Sequence, residues 1–254
     1  MRDPKSIVIT GATSGIGRAL AEEYAAPGIR LCLTGRNQDR LAEVKASCEA
    51  KGAYVLADVL DVTDEEAVKD WLFARDDEAP IDLIVANAGI SAGASGISGA
   101  EPAEQVKAVF RTNVDGVFNT ILPLVQRMME RKRGHLSIMA SVAGFRGFPG
   151  APSYCGSKAA VKVFGEGLRG SLLNEGVEVS VICPGYVRSA MTDVNDFPMP
   201  FLMEADKAAR IIRKGIEKKK ARIVFPWQTG WIAWFLHILS PGLIDPILAK
   251  LPKK

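Results

Sequence analysis

The chain has 254 residues, of which 48% are apolar and 24% charged, and carries a formal net charge of +3. That balance belongs to a folded globular chain and excludes intrinsic disorder, and a length of this order buries enough surface to fold without disulfide or metal staples. Acids and bases are interspersed rather than gathered into a basic stripe, which argues against a nucleic-acid partner.

The first strand is expected over residues 6–10, SIVIT. It runs directly into Gly11-Ala12-Thr13-Ser14-Gly15-Ile16-Gly17, and a helical period follows over 17–25. Glycines there permit a tight turn and bring the backbone close to a pyrophosphate, whose charge rests on the helix N-terminus. A strand before and a helix after make this a stronger sign than a glycine-rich loop alone. A second strand over 30–34 ends in Gly35-Arg36-Asn37. About 20 residues past such a loop, a dinucleotide fold carries an acid for the ribose of NAD or a base for the 2′-phosphate of NADP. No acid stands here, and Arg36 offers a bidentate phosphate contact, so NADP(H) is the expected cofactor. A guanidinium simply solvated after a strand end is the competing reading.

A helix over 40–50 and a strand over 54–57 lead to LDVTD, which contains Asp61 and Val62. A helix over 65–74 then precedes a strand over 83–86, closed by Asn87-Ala88-Gly89. One long helix is expected over 103–131 with Asn113 inside it, where a lone Asn bends or caps locally. The strand 135–139 ends near Ser141, and a helix over 153–174 carries Tyr154 and Lys158. A strand over 177–182 is followed by Cys183-Pro184-Gly185-Tyr186-Val187-Arg188-Ser189 and Thr192, and a last strand lies at 223–225. Strands alternating with helices, the strands almost continuously apolar, predict an α/β fold with one doubly wound parallel sheet of about seven strands and helices on both faces. The whole chain, 1–254, is expected to form a single domain.

Tyr154 and Lys158 are four apart on a helix, so their side chains leave the same face. An ammonium beside a phenol lowers its pKa from about 10, and such a phenol can give a proton to a carbonyl oxygen or take one from an alcohol. Ser141, thirteen positions earlier, could hold the same oxygen. The four cysteines (Cys32, Cys48, Cys155 and Cys183) form no CxxC pair, and with only His135 and His237 present no zinc-ligand spacing arises. Cys155 has no His placed to activate it, and all four read as free thiols of a reducing compartment. The start, MRDPKSIVITG, has no apolar signal-peptide region, so a cytoplasmic location is expected.

The spacing Thr10-Gly11-x-x-x-Gly15-x-Gly17, with Asn87-Ala88-Gly89, Asn113, Ser141 and Tyr154-x-x-x-Lys158, resembles the short-chain dehydrogenase/reductase family over residues 6 to about 192. The resemblance implies a Rossmann-type fold and an oxidoreductase acting between a carbonyl and a secondary alcohol. By the same resemblance Gly11, Thr13, Ser14, Gly15, Ile16, Gly17 and Arg36 bind the cofactor. Asp61-Val62 would meet the adenine, and Asn87, Ala88 and Gly89 would lie beside the nicotinamide ribose. Where the family usually has a first Asn before that triplet, this chain has Ala86, which leaves one sheet-stabilising contact in question. Asn113, Ser141, Tyr154 and Lys158 would be catalytic, with Asn113 holding a water that links Lys158 to solvent and Lys158 also binding the ribose. Pro184, Gly185 and Val187 would hold the carboxamide with a hydroxyl from Ser189 or Thr192, a choice that stays open. Relatives pair through the helices near 103–131 and 153–174, so a homodimer or homotetramer is implied.

Specificity in such a fold comes from the variable segments above the sheet's C-terminal edge. Residues 188–205 include DVNDFPMPFLM, an apolar lid suited to an irregular apolar or lipid-like small molecule. Residues 226–254 form an apolar extension in which Trp227, Trp231, Trp234 and Phe235 cluster ahead of Lys250, Lys253 and Lys254. Ten apolar residues cannot cross a bilayer, so this tail caps the site, contacts another subunit or lies on a membrane surface. Two other functions compete with an enzyme: a non-catalytic NADP-binding sensor or scaffold, and a membrane-surface protein using the Trp-rich tail. The complete set of Asn113, Ser141, Tyr154 and Lys158 argues for the enzyme, since binding alone does not require all four.

Overall fold

A computed structural model describes residues 4–91 and 101–249. Lys250, Lys253 and Lys254 therefore lie outside the described residues. Seven strands form one sheet: β1 (Ser6–Thr10), β2 (Arg30–Gly35), β3 (Tyr54–Val59), β4 (Leu83–Ala86), β5 (Gly134–Met139), β6 (Val177–Pro184) and β7 (Arg222–Phe225). Their order is β3-β2-β1-β4-β5-β6-β7 and every pairing is parallel, as the alternation predicts.

A parallel sheet with helices on both faces must bury both, and the strands show how the sequence does so. Ile7, Ile9, Leu31 and Leu33 point into one core, under α1 (Gly15–Tyr24), α2 (Gln38–Glu49) and α8 (Ala205–Glu217). The alternate residues Val8, Cys32, Ile84 and Ile138 point into the other, under α3 (Glu65–Glu78), α5 (Gly116–Glu130) and α6 (Pro152–Ser171). The period of two along each strand thus fills two cores with β-branched and aliphatic side chains. The order reverses between β1 and β4, so the loops leaving their C-terminal ends part and open a crevice.

Boundaries differ from the sequence expectation in physical ways. β2, β3 and β6 run one or two residues further, carried by ladder pairs such as Gly35 with Val59 and Pro184 with Phe225. The single helix expected over 103–131 is α4 (Ala103–Phe110), a π-helical turn at Arg111–Asp115, and α5. The bend expected from a mid-helix Asn is therefore a π turn centred on Asn113. After β6 come a short helix, α7 (Ala190–Asp193), and after β7 two more, α9 (Trp227–Ile238) and α10 (Pro241–Leu248). Pro241 opens α10, where a missing N–H costs nothing, and Pro246 sits inside it instead of ending it.

Candidate active site

The crevice is built first from backbone. Gly11 (φ +66°) and Gly15 (φ +53°) take the left-handed conformation that only glycine adopts freely. A side chain on Gly17 would strike the carbonyl of Gly11 and approach Asn87 Nδ2 to 2.5 Å. Thr10 and Asn87 tie β1 to β4 at this point: Thr10 Oγ1 accepts from the N–H groups of Asn87 (3.1 Å) and Ala88 (3.2 Å). Asn87 Nδ2 donates back to the carbonyls of Thr10 (2.9 Å) and Gly11 (3.2 Å). Ala86 is buried and apolar, so these four bonds hold the strand ends without the Asn it replaces.

Ser14 caps α1 without a side-chain hydrogen bond, and no acid stands in the first turn. The first N–H groups of α1 therefore face the crevice unsatisfied by a cap, an arrangement suited to phosphate oxygens. Thr13 packs over Gly35, where a side chain would meet its methyl. Arg36 leads out of β2 and is largely exposed, its Nη1 4.0 Å from Asp61 Oδ2. Asp61 also accepts from the Thr63 N–H at 2.9 Å, while Val62 is buried. Arg40 lines the same end of the crevice, so two guanidinium groups flank it. The glycine cradle, the uncapped helix end and these bases fit a dinucleotide.

At the other end, Ser141, Tyr154 and Lys158 line one cavity of about 800 Å³ with Gly11 and Arg36. Ser141 Oγ accepts from the Ala143 N–H at 3.1 Å and lies 3.4 Å from the Pro184 carbonyl. Lys158 is buried, and its ammonium donates to the Met139 carbonyl at 2.8 Å while standing 5.9 Å from the centre of the Tyr154 ring. Burial pushes its pKa down to about 8. The expectation that this ammonium depresses the Tyr154 phenol is not met: burial raises the phenol above its ordinary value, and the Ser141 hydroxyl opposes that rise. The Lys158 ammonium is turned to the strand-end carbonyl of Met139 and makes no hydrogen bond to the phenol.

Asn113 is fully buried and clamps the segment after β4. Its Oδ1 accepts from the Ile90 N–H at 2.8 Å, and its Nδ2 donates to the Ile90 carbonyl at 2.9 Å and Ser157 Oγ at 3.0 Å. The π turn is what aims it there, beside Gly89, where a side chain would come within 3.4 Å of Lys158 Nζ. Gly15 meets Ser189 closely enough that a side chain would lie 2.9 Å from its Cβ, which brings the Pro184-Gly185 segment to the phosphate loop. The Thr192 hydroxyl accepts from the Ser189 N–H at 2.9 Å, and its single proton lies within reach of the carbonyls of Ser189 (2.9 Å) and Val187 (3.1 Å). The Ser189 hydroxyl lies 3.5 Å from Thr192 Oγ1 and shares a capping box with Thr192 at the start of α7, so both hydroxyls are engaged.

The segment expected to form a lid is a closed loop. Val187 pairs with Met203, and the Met203 N–H donates to the Tyr186 carbonyl at 3.0 Å, so both ends are pinned. Between them Phe197 meets Tyr186 edge to face and lines the cavity with Pro198 and Pro200. One side of α9 completes the wall through Thr229, Ala233 and Leu236. The tail is held by His237, whose ring nitrogen lies 2.8 Å from the Phe145 carbonyl, and by Arg146, which donates to the Leu239 carbonyl at 3.0 Å. Of the residues expected to bind the cofactor or to be catalytic, all line this cavity except Gly15, Gly17 and Asn113, which pack against the lining residues Ser189, Asn87 and Gly89. The partners Met139, Ile90, Ser157 and Arg40 were missed, three because they act through backbone or a generic hydroxyl. Arg40 was legible as a second base four residues beyond Arg36.

Comparison with known proteins agrees with this geometry. A model of the short chain dehydrogenase family matches residues 5–197. An uncharacterized oxidoreductase of Myxococcus xanthus is 40% identical over 250 residues, covering 97% of each chain. A short-chain dehydrogenase/reductase from Burkholderia phymatum in complex with NAD superposes with a TM-score of 0.84 at 26% identity, over 100% of this chain and 98% of that one. A short-chain dehydrogenase from Sphingobium yanoikuyae in complex with NADPH has the same fold, with a TM-score of 0.80 at 24% identity over 97% and 96%.

Proposed function

The chain belongs to the short-chain dehydrogenase/reductase family, and from that premise we propose that it is an NADP(H)-preferring oxidoreductase interconverting a carbonyl and a secondary alcohol on an apolar or lipid-like substrate. One observation carries this: a single cavity joins the glycine cradle and Arg36 to Ser141, Tyr154 and Lys158, and its remaining wall is largely apolar. The solved relatives include one with NAD and one with NADPH, so the choice rests on this chain's own residues. An Arg where the ribose-binding acid of NAD enzymes would stand, with Arg40 beside it, favours the 2′-phosphate.

Gly11, Thr13, Ser14, Gly15, Ile16 and Gly17 would hold the pyrophosphate, Asp61 and Val62 the adenosine, and Asn87, Ala88 and Gly89 the nicotinamide half. Pro184, Gly185 and Val187, with the hydroxyl of Ser189 or Thr192, would orient the carboxamide. When bound, the cofactor supplies the hydride in reduction and accepts it in oxidation. Ser141 donates a hydrogen bond to the substrate oxygen and fixes it beside Tyr154. In reduction the Tyr154 hydroxyl gives that oxygen its proton; in oxidation the phenolate takes it back. Lys158, whose ammonium stands 5.9 Å from the centre of the phenol ring, would bind the nicotinamide ribose, and Asn113 holds the Ile90 segment and Ser157. Exposed Leu122 on α5 and Val163 on α6 support pairing of copies through those helices, and four free buried cysteines support a reducing, cytoplasmic location.

The test is titration of NADPH and NADH with wild type and Arg36→Ala, followed by a screen of apolar aldehydes and ketones with Tyr154→Phe as control. NADPH binding weakened in Arg36→Ala and turnover lost in Tyr154→Phe support the assignment. Equal affinity for NADH overturns the cofactor preference, and binding without turnover across the screen supports a sensor instead.

A further inference from the structure

The helix α9 presents two apolar faces. Thr229, Ala233 and Leu236, spaced four and three apart, turn inward to the cavity. Trp227, Trp231, Trp234, Phe235 and Ile238 recur at the same helical spacing on the opposite side, and each is about half exposed or more. A helix on a protein surface ordinarily puts polar residues there. Here residues 223–244 contain no Asp, Glu, Lys or Arg at all. Leu243 on α10 is likewise 71% exposed. Among the described residues none of the three indole N–H groups of Trp227, Trp231 and Trp234 has a hydrogen-bond partner, although Trp71 donates to Asp58. An apolar ring whose polar edge is left free is the arrangement that tryptophan adopts at the boundary between hydrocarbon and headgroups.

Charge indicates what covers the patch. After Glu217 the chain carries one acid, Asp245, against seven bases: Lys218, Lys219, Lys220, Arg222, Lys250, Lys253 and Lys254. Asp245 is paired with Arg146 at 3.4 Å, and Lys219 and Arg222 are paired with Glu178 and Glu166, so the excess rests on Lys218, Lys220, Lys250, Lys253 and Lys254. A second copy of this chain would set a base-rich segment against its like, whereas an anionic lipid surface neutralises it. No helix among the described residues is long and apolar enough to cross a membrane, so the contact is a surface one.

We propose that the outer face of α9 docks the protein on the surface of an anionic lipid bilayer. Because the inner face of the same helix walls the cavity that Tyr154 lines, an apolar substrate dissolved in that bilayer would lie on the far side of α9 from that cavity. This consequence, unlike the docking itself, rests on the oxidoreductase reading. The base-rich segment supplies long-range attraction, and the Trp stripe supplies shallow burial.

The test is flotation of the full chain with vesicles of phosphatidylcholine alone and of phosphatidylcholine with phosphatidylglycerol, together with tryptophan emission. Wild type is expected to float with the anionic vesicles, with a blue-shifted emission, and less so at high salt. The triple change Trp227→Gln, Trp231→Gln and Phe235→Gln is expected to lower bound protein by at least about tenfold. Its thermal midpoint should stay near that of wild type, because all three side chains are exposed. Changing Lys250, Lys253 and Lys254 to Gln is expected to weaken binding to anionic vesicles by about fivefold per charge removed, and not to neutral ones. Wild type that fails to float at low salt overturns the proposal, as does flotation unchanged in the triple variant. Self-association without vesicles that the triple variant abolishes, in a wild type that does not float, assigns the face to a second copy instead. None of these readouts involves turnover, so failure of the docking is distinct from failure of the enzymatic reading.

Discussion

The buried ammonium of Lys158 donates to the main-chain carbonyl of Met139 at 2.8 Å, across the end of β5, and not to the phenol one helical turn before it. Holding that charge away from water lowers its pKa from 10.5 to about 8. The folded state therefore binds fewer protons than the unfolded chain between these values. The cost of burial is fully present below about pH 8, and stability rises as pH climbs toward the unfolded value. Replacing Lys158 with Met is expected to abolish turnover yet raise stability at pH 7 by about 1–3 kcal/mol, read by urea unfolding. A variant less stable than wild type at that pH would remove the burial cost from the account.

Tyr154 is raised by burial and lowered by Ser141. Reduction needs the phenol and oxidation the phenolate, so reduction should stay flat through neutral pH while oxidation climbs on the alkaline side. Ser141→Ala removes the group that lowers the phenol, and the oxidation profile is expected to move to higher pH. Tyr154→Phe should cost about 10²–10⁴-fold in kcat with cofactor affinity kept. A profile that moved to lower pH in Ser141→Ala would contradict the coupling.

Arg36 is exposed, and its one carboxylate neighbour, Asp61, is 4.0 Å away, so it is free to swing to a phosphate. Arg36→Ala is expected to weaken NADPH by about 10–100-fold, the worth of one or two charge-assisted hydrogen bonds, and to leave NADH unchanged. Calorimetric titration of both cofactors measures it. Equal losses would mean that Arg36 shapes the loop instead of reading the 2′-phosphate.

Gly17 sits in α1, where Ala would ordinarily gain about 1 kcal/mol of helix propensity. Its side chain would instead collide with the Gly11 carbonyl and the amide of Asn87. Gly17→Ala is expected to lose about 1–3 kcal/mol in denaturant unfolding and to weaken cofactor binding as well. An unchanged midpoint would show that the cradle yields.

Asn113→Ala strips the Ile90 N–H, the Ile90 carbonyl and Ser157 Oγ of a buried partner. The expected loss is about 2–4 kcal/mol, with hydrogen exchange quickened at the Ile90 amide before anything else. Exchange that speeds up uniformly would point to global loosening rather than a local clamp.

The outline of this protein was legible because its signals are local. The alternation of apolar strands with helices, the glycines at 11 and 15, and the shared helix face of Tyr154 and Lys158 follow from local periods and from glycine's freedom at positive φ. They place the sheet, the cradle and the phenol without reference to distant residues. What the sequence left open was settled by contacts between segments far apart. Thr10 and Asn87, 77 positions apart, tie the crevice together. Asn113 reaches Ile90 and Ser157 only because a π turn rotates the helix beneath it. Lys158 turns to Met139 because β5 ends over α6, and α9 has an inner and an outer face only once it is laid against the lid and the Phe145 loop. Periodicity fixes which way a side chain leaves its own element; what it meets there depends on loop closure and packing over the whole chain, which no local pattern encodes.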